Sequence, residues 1–481
     1  MRTYDQLFLG GRWTEPATTD TFEVRSPHDR ALVGTAPKAS TADVDRAVAA
    51  ARRALEPWGR SPLAERLRLV ERFNELHAVR ADEIAELITA ENGSPSWFTG
   101  WTQHNLPERT AAWLKLAREF SWEETLTDEA GNRTIVRAAP VGVVAAVIPW
   151  NSPHSAALVK LIPALLAGNP VLLKAAPETA LDAMVLAEIF EQAGFPEGVV
   201  SVFAADRDVS EHLVCHPGVD KISFTGSTAA GRRIASLAGE RLKRVGLELG
   251  GKSAAIVLAD ADADPETVAE GIRSATFANN GEMCVAHTRI FAARERYAEV
   301  VAALAEMADG LVVGDPAKPD TFVGPIVRQD QYERVLSYLR LGVEEGARIA
   351  AGGAEPFADP ELAHGFYVRP TVFADVANDM RIAREEIFGP VLVVIPFDTE
   401  EEAIRLANDS DYGLSGGVWT ADAEHGVEIA RSVRTGTFHV NGAPRHGNAP
   451  FGGFKASGVG REYGSHGLAE FVEWQAIAAG R

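Results

Sequence analysis

From residue 143 to residue 249 the chain repeats one unit, a short apolar run followed by a helical stretch of a dozen or so residues. Residues 143–148, 171–174, 199–204, 221–224 and 246–249 read as strands. Residues 153–167 and 179–193 read as helices closed by Gly168 and Gly194, and another helix follows Ser227. Continuous apolar strands alternating with helices predict a parallel sheet covered by helices on both faces. A second series begins at 254–258 and runs to about Asn441, with strands expected at 289–292, 391–396 and 437–440.

The expected fold class is therefore α/β: two doubly wound (Rossmann-like) α/β lobes joined near 250–253. Ligands on such sheets bind at the carboxyl ends of strands, and the cleft between lobes is the default site. The first hundred residues are helical. Val44, Val48, Ala51 and Leu55 share one face, Ser40 or Thr41 is the cap, and Pro57 is expected beyond the helix end. A second helix is expected from Ser61-Pro62, with Leu63, Leu67 and Val70 as its stripe. Between 123 and 140, the turn cluster at 128–132 followed by a strand at 134–137 reads as a projecting hairpin. The tail at 470–474 alternates as an edge strand does.

Composition removes several function classes. Lys+Arg number 47 and Asp+Glu 67, giving a net charge of −20. That balance excludes a general nucleic-acid binder, which needs a basic surface. Cys215 and Cys284 are the two cysteines, too few for a disulfide framework or a multi-thiolate zinc site. No His/Cys/carboxylate cluster has local ligand spacing, so no metal is expected. No apolar run reaches membrane-spanning length, and the first thirteen residues lack the core of a signal peptide. A cytoplasmic, membrane-free protein is the expectation.

The chemistry-bearing residues lie in short motifs. Residues 224–231, Phe-Thr-Gly-Ser-Thr-Ala-Ala-Gly, follow a strand and open a helix, where backbone N–H groups suit a diphosphate. Pro149-Trp150-Asn151 ends the first strand of the series. Glu248 precedes Leu-Gly-Gly-Lys, and Cys284 ends Asn-Asn-Gly-Glu-Met-Cys. Singly, each has a bland reading: a tight turn, a buried Trp, a loop carboxylate, a small buried hydrophobe.

Taken together and in this order, the chain resembles the NAD(P)-dependent aldehyde dehydrogenase superfamily, in its non-acylating, hydrolytic branch, over essentially its whole length. Gly10-Gly-Arg-Trp13, Gly168-Asn-Pro170, Glu385-Glu-Ile-Phe-Gly-Pro390, Pro450-Phe-Gly-Gly-Phe-Lys-Ala-Ser-Gly458 and Gly460-Arg-Glu462 extend the match. The resemblance implies that Cys284 is the nucleophile, that Asn151 and the Cys284 backbone N–H hold the oxyanion, and that Glu248 is the general base. Glu248 argues against the CoA-acylating branch, and Lys160 matches a lysine near the asparagine. Glu282, two residues before the cysteine, reads as a second carboxylate of the site or, more simply, as a solvated loop residue. NAD is the implied cofactor, with NADP as the open alternative. Lys174 would contact the adenosine ribose. Thr225, Gly226, Ser227 and Gly231 would frame the diphosphate and adenosine side. Glu386 would hold the nicotinamide ribose beside Phe388, with Pro149, Trp150, Leu249 and Gly250 completing the contacts. Many relatives place a glutamate three positions after the lysine. Here Glu178 comes four after, which still favours NAD.

The resemblance also divides the chain. Residues 1–120 and 141–250 are the expected NAD-binding domain, 251–445 the catalytic domain, and 121–140 with 446–481 a small β oligomerisation segment. A homodimer or homotetramer is implied. Ser152, Ser155 and Ala156 stand where relatives carry bulky residues, and with Met283 and Val285 they would line the substrate pocket. Small side chains there predict a bulky or extended apolar aldehyde, with Trp97, Trp101 and His104 as a replacement wall. His154 reads as a pocket donor, a metal ligand or an exposed loop residue. Arg445, His446 and Asn448 would border the tunnel or form a surface loop. The rival reading is a semialdehyde dehydrogenase for an anionic substrate, for which Arg445 is the nearby arginine. A non-catalytic binding protein ranks last, since Cys284, Asn151 and Glu248 are all present.

Overall fold

The computed structural model describes residues 1–261 and 264–480. Its first lobe is built on an eight-stranded sheet. Five parallel strands form the middle, in the spatial order Arg244–Glu248, Lys221–Thr225, Val144–Val147, Val171–Ala175, Val200–Ala204. Val144 and Ala146 point into one apolar cluster while Val143, Ala145 and Val147 point into another. Helices therefore cover both faces, which is why these strands read as unbroken apolar runs. The chain runs from Val144–Val147 outward in one direction and then returns to Lys221–Thr225 on the other side. The loops after these two neighbouring strands diverge and leave a crevice at the switch point.

The second lobe carries a seven-stranded sheet, ordered Arg348–Ala351, Thr371–Ala374, Val391–Phe397, His287–Ala293, Ser253–Val257, Gly416–Trp419, His439–Val440. Only Arg348–Ala351 is antiparallel to its neighbour. The expected strands at 289–292, 391–396 and 437–440 fall within or against these elements. The join sets the geometry of the cleft. Arg244–Glu248 ends at the carboxyl edge of the first sheet, and after four intervening residues Ser253 starts the second sheet at its amino edge, beside His287. The cleft thus uses carboxyl ends on one side and amino ends on the other.

Two local expectations need correction. The first helix, Thr41–Gly59, runs through Pro57 rather than stopping before it. Trp58, one residue on, is buried, and this anchors the last turn despite the lost N–H. Its buried face is Val44, Ala47, Val48, Ala51, Ala54 and Trp58, not Leu55. Ser40 caps it with Asp43 in a reciprocal capping box. The second helix, Leu63–Ala78, has Pro62 as its cap residue.

The hairpin pairs Glu123–Thr127 with Arg133–Pro140, and the tail strand Val472–Gly480 adds to the other side of Arg133–Pro140. The tail edge is therefore satisfied within this chain on one side. The strand Gly458–Val459 joins the first sheet antiparallel to Arg244–Glu248, bringing the chain after the second lobe back to Glu248. No helix among the described residues is long and apolar enough to cross a membrane.

Candidate active site

Asn151 leaves the carboxyl end of Val144–Val147 just before helix Pro153–Leu166. Its Nδ2 donates to the Glu282 carbonyl at 2.7 Å, and its own carbonyl accepts from Asn279 Nδ2 at 2.8 Å. These two bonds fasten the asparagine from the first lobe to the cysteine segment of the second. One Nδ2 hydrogen stays available for an oxyanion. Asn279 and Asn280 hold left-handed backbone, φ 51° and 61°. Asn280 fixes that turn by donating to Gly93 and Pro325 carbonyls. Strain of this kind gathers where the surroundings must place a reactive group. Sequence reading gave Asn279 and Asn280 no role.

Cys284 follows, partly exposed, with Met283 and Val285 also partly exposed. A Cβ on Gly251 would lie 2.3 Å from the Cys284 carbonyl, so only glycine lets the two lobes approach this closely. Enclosure in the protein, and then the Glu386 and Glu248 carboxylates, push the Cys284 thiol up to about 12. Glu248 ends its strand 4 % exposed, with Oε2 unpartnered among the described residues. Burial, and next the Glu462 carboxylate, hold its pKa well above the usual carboxylate range, while Lys160 and Arg461 oppose the shift. Lys160, 1 % exposed, forms an ion pair with Glu462. Glu462 is thus part of the site. The sequence places it in Gly460-Arg-Glu462, but nothing in that motif assigns it a partner.

Glu282 is not a solvated loop residue. It is 1 % exposed, accepts from the Val327 N–H at 3.3 Å, and burial holds its pKa well above the carboxylate range. Its acidic side chain faces away from water because the tight 279–281 turn carries it inward. His154 is also corrected. It lies buried against His77 at 3.1 Å and the Asp182 carbonyl at 3.1 Å, and it is not an exposed loop residue. Of the expected aromatic wall, Trp97 stacks on Phe322 of the second lobe at 4.9 Å, Trp101 is exposed, and His104 pairs with Asp82 at the surface. Ser152, Ser155 and Ala156 are partly exposed on or beside the helix that Asn151 leads into.

The crevice of the first sheet has the donor set of a dinucleotide site. Ser227 caps helix Thr228–Gly239 through the Ala230 N–H, directly after Thr225-Gly226. Gly231 packs so closely on Leu249 that a Cβ would lie 2.4 Å away. Lys174 is nearly buried and pairs with no carboxylate among the described residues. Across the cleft, Glu386 Oε1 accepts from the Gly251 N–H at 2.9 Å, and a Cβ on Gly250 would meet Glu386 at 2.3 Å. Burial raises Glu386 to about 6. Phe388, held at φ 64°, meets Trp150 edge-on at 5.6 Å. Pro149 and Trp150 line the same side, partly exposed. Glu178 pairs with Arg328 at 2.8 Å, and Arg328 lies over the Trp150 ring.

Among the described residues, Asp45, His212 and His216 form the one His/carboxylate group close enough to hold a metal. His216 Nδ1 accepts from the Gly218 N–H at 2.9 Å, which leaves its proton on the Nε2 that faces Asp45. A protonated nitrogen is a donor to the carboxylate, not a ligand.

The family model described as the aldehyde dehydrogenase family matches residues 13–477. Geranial dehydrogenase of Castellaniella defragrans is 42% identical, over 98% of both chains. The 3-succinoylsemialdehyde-pyridine dehydrogenase of a Pseudomonas species is 40% identical over 99% of both. An aldehyde dehydrogenase of Mycobacterium tuberculosis, solved with NAD+, superposes with a TM-score of 0.95 at 44% identity, covering 99% of this chain and 98% of its own. A motif series in unbroken order, a cleft built by two doubly wound lobes and these whole-length matches agree: the chain belongs to the aldehyde dehydrogenase family.

Proposed function

We propose that the chain oxidises a bulky or extended aldehyde with an apolar body to the carboxylic acid, using NAD, through a Cys284 thioester. The observation that carries this reading is the Asn151–Glu282 bond, which fixes an amide donor beside the cysteine segment. Cys284 releases its thiol proton to water, and Sγ attacks the carbonyl carbon to give a thiohemiacetal anion. The oxyanion takes hydrogen bonds from Asn151 Nδ2 and the Cys284 N–H, each worth about 2.7–4 kcal/mol in the transition state. NAD, held by Lys174, the 225–231 turn, Trp150 and Glu386, supplies the acceptor for the hydride that leaves this carbon. Glu248 then takes a proton from water, whose oxygen attacks the thioester. The C–S bond breaks, the acid leaves and Cys284 is restored. Aldehyde and water become acid, with one hydride passed on and one proton released.

Support for the substrate class comes from Ser152, Ser155 and Ala156, which are small and partly exposed on or beside the helix that follows Asn151. Geranial dehydrogenase, whose name specifies an extended apolar aldehyde, is among the relatives. The test is reduction of NAD and NADP with acetaldehyde, long-chain, aromatic, terpenoid and semialdehyde substrates, beside Cys284→Ala. Extended aldehydes should lead and the variant should be silent. Activity on acetaldehyde alone sinks the substrate class; full activity in Cys284→Ala sinks the mechanism.

A further inference from the structure

Two hydrogen bonds hold Asn151 from the cysteine side, through the Glu282 carbonyl and Asn279. The loop is also held from behind. Three residues after Asn151, His154 lies in the first turn of helix Pro153–Leu166. Its Nε2 meets the Asp182 carbonyl at 3.1 Å, and its Nδ1 meets His77 Nε2 at 3.1 Å. A carbonyl only accepts, so the His154 proton sits on Nε2. Burial holds both imidazoles well below the usual histidine range, so each ring is neutral and carries one N–H. His154 Nδ1 is therefore the acceptor and His77 Nε2 the donor. The bonds run one way, from His77 through His154 to the backbone of helix Ala180–Ala193. Both ring nitrogens of His154 are used. His77 Nδ1 is left without a donor among the described residues. A buried acceptor left open costs stability, so this pair is a poor device for stability alone.

One residue before Asn151, the Trp150 carbonyl accepts from Asn92 Nδ2 at 2.9 Å. Asn92 ends helix Ala81–Asn92, and its Oδ1 accepts from the Ser94 N–H at 2.9 Å. The two anchors meet behind the loop. Glu91, beside Asn92, accepts from the N–H groups of Leu181 and Asp182 at 2.8 and 3.1 Å. The circuit from Trp150 through His154, Asp182, Glu91 and Asn92 therefore closes round the base of Asn151. His154, Asp182, Glu91 and Asn92 are each 1 % exposed. Hydrogen bonds shielded from water in this way are electrostatically stronger than exposed ones. The same helix end also reaches the cysteine segment, since the Gly93 carbonyl accepts from Asn280 Nδ2 at 3.0 Å. The Asn151 loop and the turn before Cys284 thus share one seat.

We propose that His154 and Asn92 are positioning residues for the oxyanion step: they seat the loop from behind, so that Asn151 Nδ2 meets the thiohemiacetal oxygen. This deepens the reading of the site above and rests on it. A donor stabilises an oxyanion only while it keeps hydrogen-bond distance to the place where the charge develops. A displacement of about 1 Å costs up to ~10²-fold in rate.

The experiment measures single-turnover NADH formation at saturating NAD, with the protein in excess over the fastest of the aldehydes named above. The parent runs beside Asn151→Ala, His154→Leu, His154→Gln and Asn92→Asp, and the melting temperature of each is recorded. His154→Leu removes both ring bonds. Asn92→Asp removes the donor to Trp150 and keeps the acceptor for Ser94. Each of these two should slow the single-turnover rate about 10- to 100-fold. His154→Gln, whose Nε2 still donates to the Asp182 carbonyl, should recover most of the rate. Placed on Asn151→Ala, His154→Leu and Asn92→Asp should slow the rate far less than they slow the parent, because they act through Asn151. A parent-like rate in either variant overturns the proposal, whatever its melting temperature. So does a slowing of equal size with and without the Asn151 side chain, since the circuit would then serve the fold alone. If His154→Leu does not fold, Asn92→Asp decides by the same two criteria. A parent-like rate in Asn151→Ala, or no turnover with any aldehyde, overturns the reading of the site itself and this proposal with it.

Discussion

In the proposed mechanism Glu248 acts as a base, yet its surroundings favour its protonated form. Burial and Glu462 push its pKa up, and Lys160 is placed to draw it back down. A raised pKa makes a carboxylate a stronger base at the cost of a smaller ionised fraction. The sign is therefore fixed: where thioester hydrolysis limits turnover, the rate rises with pH as Glu248 loses its proton. Glu248→Gln should leave a burst of about one NADH per subunit and slow the steady state about 10²- to 10⁴-fold, with the pH rise gone. Stopped-flow absorbance reads both phases; a variant that cycles at the parent rate removes Glu248 from the mechanism. At this scale the sequence is most informative. Cys284, Asn151 and Glu248 are legible because each lies in a short motif whose glycines and turns are needed to bring backbone close. The contacts of Asn279 and Glu462 are not, because their partners lie 128 and 302 positions away.

Among the elements, the least legible feature is a buried ionisable cluster behind the Asn151 loop. Helices Leu63–Ala78, Ala81–Asn92, Pro153–Leu166 and Ala180–Ala193 supply His77, Glu91, His154 and Asp182. Each residue is at most 1 % exposed. Periodicity finds the apolar stripes of these helices but is blind to a polar residue that turns inward with them. Glu91 accepts from the Leu181 and Asp182 N–H groups, and burial still raises it to about 8. The Asp182 carboxylate makes no hydrogen bond at normal distance among the described residues, and burial, then Glu91, hold its pKa well above the usual range. Burial pushes His77 and His154 down to about 3 and 4. The two pairs have opposite linkage. The acids stay protonated in the fold while the unfolded chain ionises above pH ~4, so they cost stability as pH rises. The histidines stay neutral while the unfolded chain protonates below pH ~6.5, so they cost stability as pH falls. Asp182→Asn isolates one acid. Its melting temperature relative to the parent should climb from pH 5 to pH 8. The slope corresponds to about 1.4 kcal/mol per pH unit over which the folded parent alone keeps the proton. A difference that stays level across this range shows that Asp182 is ionised in the fold.

For the whole molecule, the alternation of strands and helices makes both lobes legible, since each buried parallel strand must read as an apolar run. The joining of the lobes is not legible, because periodicity carries no information on which sheet edges meet. The chain from 249 to 252 is too short to let the lobes turn freely, so the carboxyl edge of one sheet meets the amino edge of the other. The three-stranded sheet of hairpin and tail raises the question of assembly. It leaves Leu126 and Trp474 each 54 % exposed on one face and Ile477 38 % exposed on the other. Its outer strands, Glu123–Thr127 and Val472–Gly480, each keep one unpaired edge among the described strands. An open edge with apolar side chains is a template for pairing with another chain, and closed symmetry is the usual outcome. Sedimentation of the parent should therefore give a mass at least twice 51.6 kDa. Leu126→Asp combined with Ile477→Asp, which places a charge on each face, should shift it toward a single chain and lower the melting temperature. A parent that sediments as one chain at micromolar concentration rejects the assembly role of this sheet, and its exposed apolar residues would then need another partner.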